Sequence, residues 1–232
     1  MNKLSLNVFA TISLAKALNK IATLYKAVAP DVTLSFKFAS SGRLKTQIEN
    51  GADADLFISA GQKQMDDLSG KFTDDAMREN LLVNKVVLIV PQNSTKGISS
   101  FEDVLTDKVS LVALGNSSAP IGQYSEEIFT FLKGWDIVSK KAFLGSNSKK
   151  VLTQVENLSV VDCGVVYSTD AATAKNVKIA AYAPEGSHRP VVYPAAVLKG
   201  SKNPKAAKAF LDFLSSSKAV AVFEKIGFGV VK

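Results

Sequence analysis

The sequence has very few of the residues on which catalytic triads and metal sites depend. Its 232 residues include one histidine, His188, and one cysteine, Cys163. Serine or cysteine catalysis through histidine, and zinc sites with several His or Cys ligands, all require more such residues. We therefore expect no enzyme and no metal bound directly to the protein. The apolar neighbours of Cys163 predict a buried strand position for its thiol.

Nucleotide-binding and membrane-spanning patterns are missing as well. The sequence contains neither a Gly-x-x-x-x-Gly-Lys-Ser/Thr loop nor a Gly-x-Gly-x-x-Gly turn, so we expect no nucleotide cofactor. Uncharged apolar stretches such as Val86 to Val90 are far shorter than the roughly 18 residues of a membrane-spanning helix. The first residues do not resemble a signal peptide. We expect either a cytoplasmic protein or an exported one whose targeting segment has been removed.

Positive charge is in excess but is not concentrated. The chain has 28 Lys and Arg against 21 Asp and Glu, a formal net charge of +7. The lysines are spread over predicted helix surfaces and loops and form no dense basic block of the kind that binds nucleic acid. This distribution predicts a solvated basic surface and no nucleic-acid partner.

Apolar residues follow alternating strand and helix patterns. Strands are predicted at 4–9, 32–38, 56–58, 83–90, 109–114, 164–167, 177–183 and 193–198. Helices are predicted at 14–28, around 44–48 and 65–68, and at 122–133, 149–157, 204–214 and 218–226. Such alternation is typical of the α/β class, with mostly parallel sheets flanked by helices. No linker rich in Gly, Pro or Ser separates two halves, so a two-lobed chain would cross between its lobes more than once.

Small or hydroxyl residues recur where a predicted strand ends and a predicted helix begins. Ser13 and Ser41 stand at two such places, and the segments Asn116 to Gln123 and Gly145 to Lys149 at two more. A helix start offers unpaired N–H groups and the positive end of the helix dipole, and a serine cap adds a hydroxyl. Helix capping explains any one of these starts. Four together could surround one small anion, but their number alone does not decide between capping and anion binding.

Four segments carry a resemblance to a known family. They are Val8 to Leu14, Phe38 to Gly42, Gly51 to Ala60, and Gly164 to Ala171, the last containing Val-Tyr-Ser-Thr-Asp. In this order they strongly resemble the periplasmic molybdate-binding proteins of bacterial ABC importers. The resemblance runs from Leu4 to about Phe228 and includes Tyr193 to Val197.

The resemblance implies a type II periplasmic-binding-protein fold with the ligand in the cleft between two α/β lobes. Lobe I would comprise residues 1–83 and 194–232, and lobe II residues 84–193. The ligand would be molybdate or tungstate, so that Mo or W is present only within the oxyanion. Neutral N–H and O–H donors would hold it without a counter-charged side chain.

The resemblance also implies ligand-binding roles for individual residues. Ser13 and Ser41 are expected to donate through hydroxyl and N–H, Ile121 through its backbone N–H, and Tyr167 through its phenol. Ser148 matches the donor at the start of a helix, although a slip of one residue would move that role to Lys149. Arg43 and the side chain of Lys149 are expected to face solvent or support a helical turn.

The sequence departs from the family at Thr11-Ile12 and at Ile121, which is bulkier than the usual alanine, so pocket size and the choice of anion stay open. A sulfate or phosphate receptor is the first alternative. A sensing domain of a regulator is the second, but the chain begins at the first strand with no room for a DNA-binding helix-turn-helix. An enzyme with a serine nucleophile is the third, and no histidine is placed to activate Ser13 or Ser41.

The implied partners are the membrane permease of an ABC importer and its cytoplasmic ATPase. We expect an extracytoplasmic monomer, periplasmic or lipid-anchored at the cell surface, that meets the membrane only through the permease or that anchor.

Overall fold

A computed structural model describes residues 4–157 and 161–231. The chain forms two compact units. The first comprises Met1–Val83 and Val192–Lys232, and the second comprises Asn84–Val191. The chain therefore leaves the first unit once and returns to it once.

Helices and strands alternate through most of the chain. The first part contains β1 Leu4–Thr11, α1 Ala15–Val28, β2 Val32–Ala39, α2 Ser41–Glu49, β3 Leu56–Ile58, α3 Gln62–Asp66 and β4 Thr73–Asn84. The middle part contains β5 Val86–Pro91, β6 Val112–Gly115, α4 Pro120–Phe131, α5 Trp135–Ser139, β7 Ala142–Gly145, α6 Ser148–Asn157, β8 Cys163–Tyr167, α7 Ser168–Ala171 and β9 Val177–Tyr182. The last part contains β10 Val191–Leu198, α8 Pro204–Leu214, α9 Ser217–Ile226 and β11 Gly229–Val230.

The first unit is built on a six-stranded sheet with the order β11-β4-β10-β3-β1-β2. Strand β1 runs parallel to β2 and to β3, with Thr11 opposite Ala39 and Ala10 opposite Ile58. Helices α1 and α2 connect these three strands. Parallel strands share one direction, so the ends of β1, β2 and β3 lie at the same edge of the sheet. The residues after Thr11, Ala39 and Ile58 therefore come close together.

The second unit is built on a five-stranded sheet with the order β7-β6-β8-β5-β9. Strand β6 is parallel to β7 and β8, whereas β5 is antiparallel to β8 and β9. Helices α4 and α6 begin after β6 and β7. The expected α/β class is confirmed, and each sheet combines three parallel strands with antiparallel ones.

Each unit has its own apolar core. Leu44, Phe57, Met65 and Leu68 are fully buried in a cluster of the first unit. The second unit has a corresponding buried cluster that includes Val87, Ala113, Val151 and Val166. Burying one such side chain contributes about 1.5–3 kcal/mol, so each sheet and its helices hold together through their own packing.

Several predicted elements need correction. The single strand expected at 83–90 is wrong, because Lys85 separates β4 of the first sheet from β5 of the second. Most of β4 was not predicted, since the charged run Asp74-Asp75 and Arg78-Glu79 hides the strand pattern. The short elements α5, α7, β7 and β11 were also missed.

The environment of Cys163 and the length of the helices both bear on the expectations from the sequence. Cys163 begins β8 and is fully buried, as predicted. Burial raises the pKa of its thiol to about 12, so the reactive thiolate is scarce at neutral pH. Among the helices of residues 4–157 and 161–231, none combines the length and hydropathy needed to cross a bilayer.

Candidate functional site

Ser13 follows the end of β1 in the first unit. Residues Ile12–Leu14 form a single turn of 3-10 helix before α1, and Ser13 is the middle residue of that turn. Its side chain is buried, and its Oγ lies 3.3 Å from the phenol oxygen of Tyr193 in β10. The expectation that Ser13 caps α1 is wrong, because the extra turn places Leu14 immediately before the helix. The hydroxyl is directed to β10 instead.

Ser41 is the first residue of α2 and is completely buried. Its Oγ accepts the backbone N–H of Ala60 at 2.9 Å, just beyond the end of β3. The expected capping role is wrong here too, because Ser40 occupies the cap position and makes no side-chain cap bond. A hydroxyl oxygen that accepts an N–H keeps its own proton for another acceptor. Ser41 is therefore a buried donor at the edge of the sheet.

The turn that carries Ala60 is fixed by Ser59. The buried Ser59 hydroxyl donates to the carbonyl of Gly61 at 2.8 Å and accepts the N–H of Gly61 at 3.2 Å. This closed pair of hydrogen bonds holds the backbone of residues 59–61. The Ala60 N–H is thereby aimed at Ser41 before any ligand arrives.

Ile121 stands in the first turn of α4 in the second unit. Pro120 is the first helical residue and has no N–H, so Ile121 carries the first N–H of this helix. An N–H at this position has no acceptor within its own helix. The N–H of the next residue, Gly122, donates to the carbonyl of Ala119 at 2.9 Å. The N–H of Ile121 is therefore the candidate donor of this turn.

Close backbone packing fixes the start of α4. A Cβ at Gly122 would lie 2.1 Å from the carbonyl oxygen of Asn116, and one at Gly115 would lie 2.6 Å from the nitrogen of Gly122. Both distances are far below van der Waals contact, so only glycine fits at the two positions. The position of the Ile121 N–H consequently depends on glycine packing.

Ser148 begins α6 and is buried. Its hydroxyl donates to Oδ2 of Asp170 at 2.5 Å, and its Oγ also lies 3.4 Å from the donating N–H of Tyr167. The amide oxygen of Asn147 accepts the N–H of Lys150 and so caps the helix. The hydroxyl proton of Ser148 is therefore used inside the protein. The first-turn N–H groups of Ser148 and Lys149 are the donors expected at this helix start.

Asp170 lies in α7 and is almost completely buried. Burial raises the pKa of its carboxyl above the ordinary value of 3.8, while the Ser148 hydroxyl and the charge of Lys149 act in the opposite direction. The structure makes it the acceptor of Ser148.

Tyr167 ends β8 and is buried. Its ring meets the edge of the Tyr124 ring, with centroids 6.5 Å apart and planes at 73°. The Tyr124 ring in turn contacts His188 and lies under the guanidinium of Arg189, which pairs with Glu127 at 2.8 Å. His188 is thus half-buried against an aromatic ring. Tyr167 and α4, which carries Ile121, are packed together through Tyr124.

The cationic side chains next to the candidate residues differ in their exposure to solvent. Arg43 is exposed, as expected, and Lys149 is half-buried. Within the described residues, no three His, Cys, Asp or Glu side chains are grouped as metal ligands. The candidate set is therefore Ser13 and Ser41 in the first unit and Ile121, Ser148 and Tyr167 in the second. Sequence reasoning missed the supporting groups Tyr193 and Ala60, although both lie in segments that carried the resemblance.

Comparisons with known proteins agree over nearly the whole chain. Residues 6–229 match the family described as bacterial extracellular solute-binding protein. A Bacillus subtilis protein named as an ABC transporter substrate-binding lipoprotein, YvgL, is 38% identical over 97% of this chain and 86% of its own. The molybdate-binding protein ModA of Escherichia coli is 38% identical over 97% of this chain and 89% of its own.

A solved structure gives the same picture. It is described as the substrate-binding domain of a molybdenum ABC transporter from Clostridium difficile. It superimposes with a TM-score of 0.77 at 38% identity and covers 99% of this chain and 100% of that one. The periplasmic-binding-protein fold expected from the resemblance is confirmed.

Proposed function

The chain belongs to the family of bacterial extracellular solute-binding proteins, and we propose that it captures molybdate or tungstate for an ABC importer. The observation that carries this proposal is the buried Ser41 hydroxyl, which accepts a backbone N–H and retains its proton for a ligand. The match to a molybdate-binding relative along nearly the full chain supports the choice of anion. The family also places the protein outside the cytoplasm.

In this proposal the donors of both units bind the oxygens of a single anion. Ser13 and Ser41 donate hydroxyl protons, Ile121 and Ser148 donate backbone N–H groups, and Tyr167 donates its phenol proton. All are neutral, so the dianion is held by several charge-assisted hydrogen bonds without a direct ion pair. The two units correspond to the two lobes of the family fold.

The contacts of Ser148 decide which of its groups is used. Its hydroxyl proton already goes to Asp170, and an unprotonated oxyanion oxygen offers nothing for the Oγ to accept. The backbone N–H at the start of α6 is therefore the donor that we assign to the anion. Lys149 supplies the next N–H of the same turn.

Capture without catalysis is part of the proposal. The relatives are solute-binding proteins, and His188 is the single histidine of the sequence. His188 Nδ1 lies 2.6 Å from the carbonyl oxygen of Arg189. The Ser13 and Ser41 hydroxyls contact Tyr193 and Ala60, and neither group is a general base at neutral pH.

A protonated ligand such as hydrogen phosphate is disfavoured. Hydrogen phosphate requires an acceptor for its own proton, and the Asp170 oxygen nearest to a proposed donor already accepts from Ser148. Sulfate is a smaller tetrahedral dianion that offers the same acceptors as molybdate. Binding of sulfate is therefore the comparison that tests the substrate assignment.

The partners follow from the transport role. A membrane permease receives the oxyanion, and a cytoplasmic ATPase drives its import. We propose that the protein acts as a monomer and meets the membrane through the permease or through a lipid anchor like that named for YvgL.

The proposal is tested by following the melting temperature of the purified protein with molybdate, tungstate, sulfate, phosphate and chromate. A ligand that binds only the folded state raises the melting temperature. At a ligand concentration of about a hundred times Kd, it adds about 2.7 kcal/mol to the free energy of unfolding. We expect molybdate and tungstate to give the largest shifts. A clear response to another anion with none to these two would overturn the substrate assignment.

A further inference from the structure

Two buried hydroxyls in the first unit each have a hydrogen-bond partner next to them. The N–H of Ala60 donates to Ser41 Oγ at 2.9 Å. The phenol oxygen of Tyr193 lies 3.3 Å from Ser13 Oγ, and either oxygen of this pair can be the donor. The Ser41 arrangement has a fixed direction because a backbone N–H can only donate. The Ser13 arrangement has two possible directions.

A bound dianion would remove this ambiguity. The oxygens of molybdate carry no proton, so a hydroxyl that contacts them must donate. Once the Ser13 proton points to the anion, Ser13 Oγ can only accept. In the described part of the chain, the hydrogen-bond partner of Ser13 Oγ is Tyr193. A hydrogen bond between the two groups then requires the phenol to donate to Ser13, and the two O–H groups form a chain directed at the anion.

We propose that Tyr193 is a positioning residue for anion capture, which orients and polarises the Ser13 hydroxyl by donating to its oxygen. This inference rests on the proposed function. Hydrogen bonds in such a chain strengthen one another, because the donor behind Ser13 makes the Ser13 proton a better donor. Tyr193 acts through Ser13 and does not itself bind the anion.

The surroundings of Tyr193 suit this role. The residue lies in β10, and its side chain is completely buried. Its ring meets the Phe228 ring edge-on, with centroids 5.3 Å apart and planes at 78°. The neighbouring backbone is fixed as well, because the carbonyl of Pro194 accepts the N–H of Ser59 at 3.0 Å. Packing thus holds the phenol oxygen near Ser13 in advance of binding.

The test is a double-mutant cycle on molybdate affinity, measured by isothermal titration calorimetry with wild type, Tyr193→Phe, Ser13→Ala and the double variant. Tyr193→Phe keeps the ring and its packing on Phe228 and removes only the phenol oxygen. We expect it to weaken molybdate binding about tenfold in the wild-type background. In the Ser13→Ala background, the same change should alter affinity by less than about twofold, because the Ser13 hydroxyl through which Tyr193 acts is absent.

Tyr25→Phe is the matched control. Tyr25 is another buried tyrosine of the first unit, and its ring packs between Phe210 and Phe213. Its loss of a phenol oxygen should leave molybdate affinity unchanged. Melting temperatures of all variants, measured without molybdate, separate loss of folding from loss of binding.

The outcomes distinguish the two proposals. If the wild type gives no heat with molybdate or tungstate, the proposed function fails. If the wild type binds but Tyr193→Phe weakens affinity equally in both backgrounds, Tyr193 has a structural role and the inference is overturned. Unchanged affinity in Tyr193→Phe would overturn it as well.

Discussion

The two units place different chemical groups at the ends of their parallel strands. In the first unit, the candidate donors are side-chain hydroxyls, Ser13 and Ser41, which are buried and supported from behind. In the second unit, the Ser148 hydroxyl is committed to Asp170, and the start of α4 offers the N–H of Ile121. Tyr167 is the candidate side-chain donor of that unit. In the proposed site, one unit therefore contributes hydroxyls and the other contributes mainly backbone N–H groups.

This difference determines how each unit responds to substitution. A hydroxyl can be removed by a single isosteric change, with little effect on the surrounding packing. A backbone N–H cannot be removed in this way, and it is lost only when the helix start moves. Truncation of serines should therefore weaken anion binding by the first unit, whereas altered backbone packing should weaken anion binding by the second.

The largest effect is expected for Gly122→Ala in the second unit. The new Cβ would lie 2.1 Å from the Asn116 carbonyl oxygen and 2.5 Å from that of Gly115, so the first turn of α4 must move. We expect a loss of about 1–3 kcal/mol in unfolding free energy. Displacing the Ile121 donor should also weaken molybdate binding by about 1.5–3 kcal/mol, which calorimetric titration would measure.

Gly200→Ala is the control for that change. A Cβ at Gly200 meets no atom within 4 Å, and this glycine lies in the first unit. Its affinity and melting temperature should match those of the wild type. If Gly122→Ala also matched the wild type, the assignment of the second-unit donor to the start of α4 would be wrong.

Ser41→Ala should give the next largest effect. The change removes a donor to a charged ligand, which is worth about 1.5–3 kcal/mol of binding free energy. It also leaves the Ala60 N–H without its acceptor, which should lower the melting temperature. Titration calorimetry and thermal unfolding measure the two losses separately. Wild-type affinity in this variant would contradict the dependence of the first unit on hydroxyls.

Tyr167→Phe should weaken binding while keeping the ring in place. The ring and its contact with Tyr124 remain, and molybdate affinity should fall by about 1.5–3 kcal/mol. Equilibrium dialysis against molybdate gives the affinity, and thermal unfolding checks the fold. Tyr182→Phe, at an exposed tyrosine of the same unit, is a control that should behave as wild type.

Ser148→Ala should have the smallest effect on binding. Its hydroxyl donates to Asp170 and its backbone N–H survives the change, so we expect less than about 0.5 kcal/mol of lost binding free energy. The buried Asp170 carboxylate loses its donor, so stability should fall by about 1–3 kcal/mol. Loss of affinity as large as that of Ser41→Ala would remove the contrast between the units.

Local patterns predicted much of the fold. Strand β3 at Leu56–Ile58 and helix α8 at Pro204–Leu214 were predicted to the residue, because apolar periodicity and a proline at the helix start mark their bounds. Strand β4 was missed because its pairing in the sheet outweighs its charged composition. The serine-led helix starts named segments for a binding site, and that assignment stays a prediction.

Long-range contacts of the candidate residues were beyond sequence reasoning. Ser13 and Tyr193 are 180 residues apart, and Ser148 and Asp170 are 22 apart. The order of strands in each sheet brings these side chains together. A local sequence pattern therefore cannot predict that they meet. Sequence therefore named Ser13 and Ser148 as candidates, but only the structure distinguishes a supported hydroxyl from a committed one.

The central claim is that one anion engages donors of both units. The most direct measurement follows backbone amide signals in ¹H–¹⁵N NMR spectra during titration with molybdate. We predict that the amides of Ser13, Ser41, Ile121 and Ser148 shift together and saturate at one equivalent. Shifts confined to one unit, or different midpoints for the two units, would contradict the account.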